Sequence, residues 1–454
     1  MIQTSVNLSF LRYCLGNNEN MNEVLVKLNW LNLYSFASKQ AILGLCFDGI
    51  SRLGQESPDE LKKNPIGRDL LMTWMGAAQQ IHRQNMKVNT VASKLYSMIR
   101  EDGLRCCILK GQGNALMYPN AYSRTPGDID VWIDASRERI MEYASKKFEL
   151  GDDIRLQHLE TSLDGVPVEL HFFPCSMNNP IYHARLQKWF KRNADLQCSH
   201  IVGLPDGAGD IAIPTTAFNV VYQLTHLYHH FFDEGIGMRQ IIDYYYVVCD
   251  FYKVYQNSSK ITPPLFTLKE GSTSHPDPLT LRGEGGNRPT RCSEPLRSKD
   301  GGASKPSPDC AGWDRRDAIG DIASDASVSS AFTTDSSAST ALDVVQRELK
   351  YLGLWKFAGA VMYVLHEALG LSEEKMIVPM DEKRGKLLLA EILNGGNFGQ
   401  HFTKYGYFTQ QGMAKKYFLK IWRNMHFVRY YPTEALCEPI FRTWHFFWRL
   451  KHRR

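Results

Sequence analysis

The spacing of apolar residues changes twice along this chain of 454 residues, and that change limits the possible folds more than any other feature. Up to residue 107, apolar side chains recur every three or four positions, which is the spacing of amphipathic helices. Three short apolar runs then read as strands, at 106–109, 129–133 and 166–172. The last run follows Asp164-Gly165, a pair typical of hairpin turns. Helical spacing returns from about Thr215. The sequence therefore predicts an α+β fold in which a small mixed sheet is flanked by N- and C-terminal helical regions.

One internal segment differs in composition from the rest of the chain. Eight of the twenty prolines lie within residues 263–308, and Gly, Ser, Asp and Thr dominate up to Thr340. Such a segment buries too little apolar surface to offset the entropy that ordering costs. We therefore predict a disordered low-complexity insertion at 257–341, with a lid or a recruitment tail as the functional alternative. The remaining regions are predicted to be an N-terminal helical region at 1–105, a mixed-sheet core at 106–214, and a C-terminal helical domain built from 215–256 and 342–454.

Composition excludes several classes of protein. The chain contains no uninterrupted run of about 18 apolar residues, so no transmembrane helix is predicted. The N-terminus lacks the basic and apolar stretches of a secretory signal. The ten cysteines are scattered and include no Cys-x-x-Cys pair, which argues against a zinc ribbon and against a disulfide framework. These features predict a cytoplasmic protein.

The formal charge of +5 is unevenly placed along the chain. Residues 415–454 contain ten Lys or Arg and only two acidic residues. Aromatic side chains are interleaved with these cations: Trp422, Trp444, Phe446, Phe447 and Trp448. Their near-helical spacing predicts a helix with one aromatic core face and one solvated basic face. Contact with nucleic acid or with an anionic lipid surface is the alternative.

The chemistry is concentrated in residues 127–131, which read Gly-Asp-Ile-Asp-Val. In a strand, residues i and i+2 point to the same face, so Asp128 and Asp130 would lie side by side. Carboxylates that close together repel each other, and a divalent cation relieves the repulsion. Glu169, in the next predicted strand, would supply a third carboxylate. We therefore predict a metal site whose ligands and catalytic residues are Asp128, Asp130 and Glu169.

A second group of residues is suited to phosphate. The first predicted strand ends, and a helix begins, at Lys110, Gly111, Gln112 and Gly113. Backbone N–H groups exposed at such a turn can bind phosphate oxygens, and Lys110 would add a positive charge. Arg124 lies four residues before Asp128, near enough for a phosphate contact. We predict that these five residues bind a nucleotide.

The motifs together resemble the uncharacterised nucleotidyltransferase family of the DNA polymerase β superfamily. The resemblance rests on residues 108–111, 124–131 and 168–171, and it extends more loosely over the N-terminal helices and the helical stretch after residue 215. It implies a polymerase β-like fold, dependence on Mg²⁺ or Mn²⁺, and transfer of a nucleoside monophosphate from an NTP, with ATP expected, to an acceptor hydroxyl. Pyrophosphate would be released. The chain departs from the superfamily at Gly111-Gln112, where Gly-Ser is usual.

Several other polar residues could contribute to the site or have a purely structural role. His171 shares a strand face with Glu169 and is predicted to donate a hydrogen bond to it. His226 and His230 are spaced to share a helix face, where they could bind a metal or a nucleotide, or simply pack beside the core. Arg239 and Asp243 could pair with each other or contact a phosphate or the acceptor.

Two further expectations concern local structure. Asp134 is predicted to cap the helix that begins near Arg137. The glycine-rich segment 394–399 is predicted to be a turn between helices, with close approach to a ligand as the alternative.

Two other functions remain open at this level. The first is a catalytically inactive nucleotide-binding or scaffold protein with the same fold. The second is an enzyme that adds nucleotides to the ends of nucleic acids, which the basic and aromatic C-terminus favours. A small molecule, a protein hydroxyl and an RNA end are all possible acceptors.

Overall fold

The computed structural model describes residues 2–150, 155–256, 341–402 and 413–452. Apart from Ala341, the predicted disordered insertion lies outside these residues. The residues described all belong to one compact unit. The division of that unit into an N-terminal region, a core and a C-terminal domain stays a prediction.

The N-terminal region is helical, as predicted. Its helices are α1 (Ile2–Cys14), α2 (Met21–Lys27), α3 (Trp30–Lys39), α4 (Leu43–Glu56), α5 (Pro58–Lys63) and α6 (Arg68–Glu101). Helix α5 begins with a proline, a residue that the first turn accepts because the N–H it lacks would have no helical partner there. The C-terminal half of α6 buries an apolar stripe of Val88, Leu95 and Ile99. That stripe packs against one face of the sheet.

The sheet has four strands in the order β1-β2-β4-β3. They are β1 (Cys106–Leu109), β2 (Ile129–Ile133), β3 (His158–Leu163) and β4 (Val166–His171), and the short helices α7 (Gly111–Ala115) and α8 (Arg137–Lys147) follow β1 and β2. β2 pairs parallel with β4, whereas β1 and β3 pair antiparallel with their neighbours. The predicted mixed sheet in an α+β fold is confirmed.

The set of predicted strands was incomplete. β3 and β4 form a hairpin around Asp164 and Gly165, whose φ angles of 50° and 72° are those of a type I′ turn. A strand was predicted only after this turn, and β3 before it was missed. A second hairpin, β5 (Ile201–Gly203) with β6 (Asp210–Ala212), was also missed because its strands have three residues each. Such short strands contain too few positions to show alternation.

The two faces of the sheet contact different cores. Ile129, Val131 and Ile133 point to the core that α6 and α8 cover. Trp132 points to the opposite face and joins the larger helical core. That core contains α9 (Pro180–Ser199), α10 (Thr216–Asp233) and α11 (Met238–Gln256). We call the face of the sheet that carries Trp132 the helical face. Because side chains alternate along β2, Asp130 points to this face as well.

The C-terminal region adds α12 (Ala341–Tyr351), α13 (Trp355–Leu369), α14 (Glu382–Gly395), α15 (Met413–Met425) and α16 (Pro432–His452). Side chains of the N-terminal region bond to this region directly. Asn17 donates to the carbonyl of Leu369 at 2.7 Å, and Gln40 donates to that of Ile392 at 3.0 Å. The flanking helical regions thus pack against each other as well as against the sheet.

The predicted aromatic core face of the C-terminus is wrong for four of the five aromatic residues. The exposed fractions are 48% for Trp422, 49% for Trp444, 54% for Phe446 and 63% for Phe447. Only Trp448 packs partly against the core, with the Arg137 guanidinium 5.0 Å from its ring. Among the described helices, none has the length and apolarity needed to cross a membrane.

Candidate active site

Three carboxylates meet at the helical face of the sheet. The parallel register places Asp130 of β2 opposite Glu169 of β4. Asp128 lies immediately before β2 and is exposed, whereas Asp130 is buried. Asp128, Asp130 and Glu169, the predicted metal ligands, therefore border one opening, which we call the acidic edge.

Two cationic groups hold Asp130 in place. Lys110 Nζ and His171 Nε2 each lie 2.9 Å from Asp130 Oδ1. Burial alone would raise the pKa of Asp130, but the charge of Lys110 and the hydrogen bond from His171 lower it below the ordinary value. Burial likewise favours a neutral His171, yet its bonds to Asp130 and Glu169 raise its pKa to about 9. His171 thus donates to Asp130 as well as contacting Glu169 at 3.1 Å, the contact that the sequence predicted.

The repulsion within the acidic edge is greatest at Asp128. The negative charges of Asp130 and Glu169 raise the pKa of Asp128 to about 6. A divalent cation bound among these oxygens would remove that repulsion. The three carboxylates are therefore suitable ligands for the divalent cation that the sequence predicted.

A cleft of about 520 Å³ opens on one side of the acidic edge. We call it the arginine lobe because both Arg124 and Arg239 line it. Arg124 is bonded to the buried Asp243 through two nitrogens, each at 2.8 Å. Tyr118 also donates to Asp243, at 2.7 Å. The structure thus pairs Asp243 with Arg124 rather than with Arg239, and Arg124 is less available for phosphate than we predicted.

Arg239 is the more available cation of this lobe. Its Nη1 donates to the carbonyl of Thr125 at 3.1 Å, while its Nε has no hydrogen-bond partner among the described residues. Nε2 of the neighbouring Gln240 is also without a partner in the described part of the chain. Both side chains line the arginine lobe. Donors that are buried and unpaired favour an anionic or carbonyl ligand.

Gln112 and Gly113 are placed differently from the prediction. The Gln112 side chain is buried and donates to Asn89 of α6. A Cβ on Gly113 would lie 3.0 Å from Ile213, in contact with the β5-β6 region. Neither residue lines the arginine lobe, whereas Lys110 and Gly111 do. The tight turn, with Lys110 at φ 52° and Gly111 at φ 38°, directs these two residues to the cleft and the next two away from it.

A second cleft, of about 890 Å³, lies on the other side of the acidic edge. We call it the histidine lobe, because its lining includes five histidines: His158, His171, His226, His229 and His230. Burial is the main cause that lowers the pKa of all of these except His171, to about 3 in His158 and His230. His226 also contacts Lys110 Nζ at 2.8 Å and His230 at 3.0 Å. The lobe therefore presents mostly neutral imidazoles.

Other local expectations have mixed outcomes. Asp134 does not cap α8, because Ser136 accepts the capping bond from Arg139 and Asp134 pairs with Arg105 instead. Segment 394–399 contains the end of α14 at Gly395 and a single turn at Asn397–Gly399. This turn brings Phe398 to the lining of both lobes.

His158 and Phe398 are two of the site residues that were not predicted. His158 pairs with His171 across the hairpin, and counting back from the Asp164-Gly165 turn would have found it. Phe398 had no comparable signal, because its approach to the cleft depends on the packing of α14 against the rest of the fold.

The fold and the site define a class of protein. A mixed sheet that gathers three carboxylates next to a lysine and a glycine turn, between flanking helices, is the arrangement of a nucleotidyltransferase. The chain belongs to the family described as uncharacterised nucleotidyltransferase, whose model matches residues 27–254, half of the sequence. Membership supports nucleotidyl transfer in general, with a nucleotide as substrate and a divalent metal. No curated protein and no solved structure matches the chain.

The matched stretch contains the acidic edge, both arginines and the histidine lobe's five histidines. Phe398 lies outside it. Gln400, which also lines the histidine lobe, lies outside the match as well, so the C-terminal region adds two side chains to the site.

Proposed function

We propose that this protein is a nucleotidyltransferase that moves a nucleoside monophosphate from an NTP, with ATP the expected one, to an acceptor hydroxyl. The observation that carries the proposal is the strand register. It sets Asp130 opposite Glu169 and next to Lys110, at the border of a cleft with unpaired donors. In a chain of this family, that arrangement supports a catalytic role for the acidic edge.

Asp128, Asp130 and Glu169 would hold the divalent cation, Mg²⁺ or Mn²⁺. When bound, the cation would neutralise phosphate charge and increase the acidity of the acceptor hydroxyl. All three side chains offer the oxygen donors that Mg²⁺ prefers.

The remaining groups bind and orient the substrates. Lys110, the backbone of Gly111 and the side chain of Arg239 would hold the triphosphate in the arginine lobe. The acceptor oxygen forms a bond to the α-phosphorus, the bond from that phosphorus to the bridging oxygen breaks, and pyrophosphate leaves. The acceptor's proton passes to Glu169 and then to solvent. Positioning and charge neutralisation supply most of the rate in such transfers.

The test is label transfer. Purified protein is incubated with α-labelled NTPs, a divalent cation and cell extract, and the species that gains the label identifies the acceptor class. Asp128→Asn combined with Asp130→Asn should abolish labelling. Labelling by the double variant at the wild-type rate would refute the assignment. Nucleotide binding without any turnover would favour an inactive nucleotide-binding protein on this fold.

A second candidate is an enzyme that adds nucleotides to nucleic-acid ends. The exposure of Trp444, Phe446 and Phe447 near Lys451 favours it, since aromatic rings stack on bases and cations bind phosphates. For this candidate, RNA binding should weaken steeply as salt increases, and Phe447→Ala should weaken it further. Salt-independent binding would argue against contact between this surface and any polyanion.

We also propose a cytoplasmic location. The eight cysteines of the described ranges are free thiols, and six of them are buried. Fractionation of cells that express the tagged full chain tests this location.

A further inference from the structure

A cluster of nitrogen donors adjoins the acidic edge. His158, Glu169 and His171 each offer one ligand atom, and these atoms all lie within 4.8 Å of one another. Glu169 Oε2 is the shared centre, 3.2 Å from His158 Nδ1 and 3.1 Å from His171 Nε2. The strand register explains the cluster, because His158 is opposite His171 and both flank Glu169 on the same face.

His158 is the member of this cluster that has no role in holding the carboxylates of the acidic edge. Its residue is 8% exposed, and neither ring nitrogen makes a hydrogen bond within the described structure. Glu160, the other nearby carboxylate, is 3.7 Å from its Nε2. Leaving a buried donor or acceptor unpaired costs about 1–3 kcal/mol. A ligand on His158 would remove that cost.

The spacing of the donors suits a metal ion. Bonds from zinc to imidazole nitrogen or carboxylate oxygen are about 2.0–2.2 Å, so neighbouring donors of a tetrahedral ion are about 3.4 Å apart. The two distances from Glu169 Oε2 are within about 0.3 Å of that separation. The third separation, between the two ring nitrogens, is at most 4.8 Å, and the imidazoles would approach each other when a metal binds.

A surrounding shell fixes the ring of His171. The Gln157 amide nitrogen lies 3.4 Å from His171 Nδ1 and donates to the carbonyl of Pro174 at 3.1 Å. Ser176 donates to the amide oxygen of Gln157 at 3.2 Å. These contacts hold the ring in place, and a metal ion at Nε2 would displace the proton that His171 otherwise donates to Asp130.

We propose that His158, Glu169 and His171 form a site for a nitrogen-preferring divalent transition metal, with Zn²⁺ as the tighter-binding of two probes and Mn²⁺ as the weaker. The inference rests on the proposed function in one respect: Glu169 is shared, so this site determines which metal the transferase uses at that carboxylate. Imidazole donors favour transition metals, whereas Mg²⁺ is bound mainly by oxygen.

The experiment measures Zn²⁺, Mn²⁺ and Mg²⁺ binding to the metal-stripped full chain by calorimetry, without nucleotide. His158→Gln should weaken Zn²⁺ binding at least tenfold and change Mg²⁺ binding less than twofold. His230→Gln is the matched control, since it removes a half-buried imidazole from the same lobe but outside the cluster, and Zn²⁺ affinity should stay within twofold. Equal Zn²⁺ affinity of His158→Gln and wild type would overturn the proposal.

A second measurement does not depend on the folding of a variant. Wild-type crystals soaked in Zn²⁺ should show an anomalous peak bonded to both imidazoles and to Glu169. A peak bonded only to carboxylates of the acidic edge would refute the site. Because neither measurement involves turnover, a protein that binds Zn²⁺ here but transfers no label would disprove the proposed function alone.

Discussion

Both lobes are lined by Asp128 and Asp130 of the acidic edge, but the other side chains of the two lobes differ in their chemistry. The arginine lobe contains permanent cations, one paired with Asp243 and one with unpaired donor capacity. The histidine lobe contains imidazoles whose pKa values are lowered by burial. The difference indicates that the arginine lobe attracts polyphosphate at any pH, whereas the histidine lobe accepts a neutral group or a metal. One row of carboxylates can thus border two separate binding regions.

The largest expected effect is on the ion pair of the arginine lobe. Asp243→Asn leaves the Arg124 guanidinium buried without its carboxylate partner, which should lower the free energy of unfolding by about 3–5 kcal/mol. Urea denaturation measures the loss. The control is Lys146→Met, which breaks an exposed pair with Glu142 and should leave the urea midpoint nearly unchanged. Similar losses in both variants would show that the Arg124 pair is not a buried structural contact.

The next effect concerns Phe398, which lines both lobes. A Cβ at Gly237 would lie 2.6 Å from Asn397 Cα, so Gly237→Ala should displace the Phe398 segment and destabilise the fold by about 1–3 kcal/mol. Gly76→Ala is the control, because nothing lies within 4 Å of its added Cβ in α6. It should stabilise the fold by about 0.5–1 kcal/mol. Equal thermal shifts would mean that this packing does not position Phe398.

A smaller effect separates the lobes by ligand. Arg239→Met removes a cation from the arginine lobe and should weaken NTP binding about tenfold, equivalent to about 1.4 kcal/mol. His230→Gln, in the histidine lobe only, should change NTP affinity less than twofold. Fluorescence titration with a labelled NTP measures both. The reverse order of effects would assign the triphosphate to the histidine lobe.

The smallest effect is the pH dependence of the histidine lobe. Burial lowers the pKa of His230 to about 3, while the unfolded chain has the ordinary value of 6.5. Between these values the unfolded chain binds more protons, so stability decreases as pH falls below 6.5. From pH 7.5 to 5.5 the contribution of His230 should decrease by about 1 kcal/mol. Melting curves of wild type and His230→Gln at both pH values isolate the contribution of His230. If the stability of both proteins changed equally with pH, His230 would not be neutral in the folded state.

Much of the fold could be predicted because its patterns are local. The short apolar run at 129–133 predicts β2 directly, and the helical spacing of apolar residues predicts α6 and α10. β5 and β6 are too short for such a pattern. The exposed aromatic residues of α16 show the limit of periodicity: spacing gives the face of the helix, but which face is covered depends on the other elements that pack against it.

The residues of the site also fall into a group that local sequence patterns predict and a group that they do not. The positions of Asp128, Asp130 and Glu169 follow from strand geometry. The bond between Arg124 and Asp243 joins residues 119 positions apart, and no spacing rule links them. The same holds for Phe398.

We propose that the acidic edge binds a nucleotide through a divalent cation, and equilibrium titration of an NTP with and without Mn²⁺ is the sharpest test of that claim. Wild-type affinity should rise at least tenfold when Mn²⁺ is added. The affinity of the Asp128→Asn, Asp130→Asn double variant should not respond to Mn²⁺. An equal Mn²⁺ response in both proteins would contradict the claim.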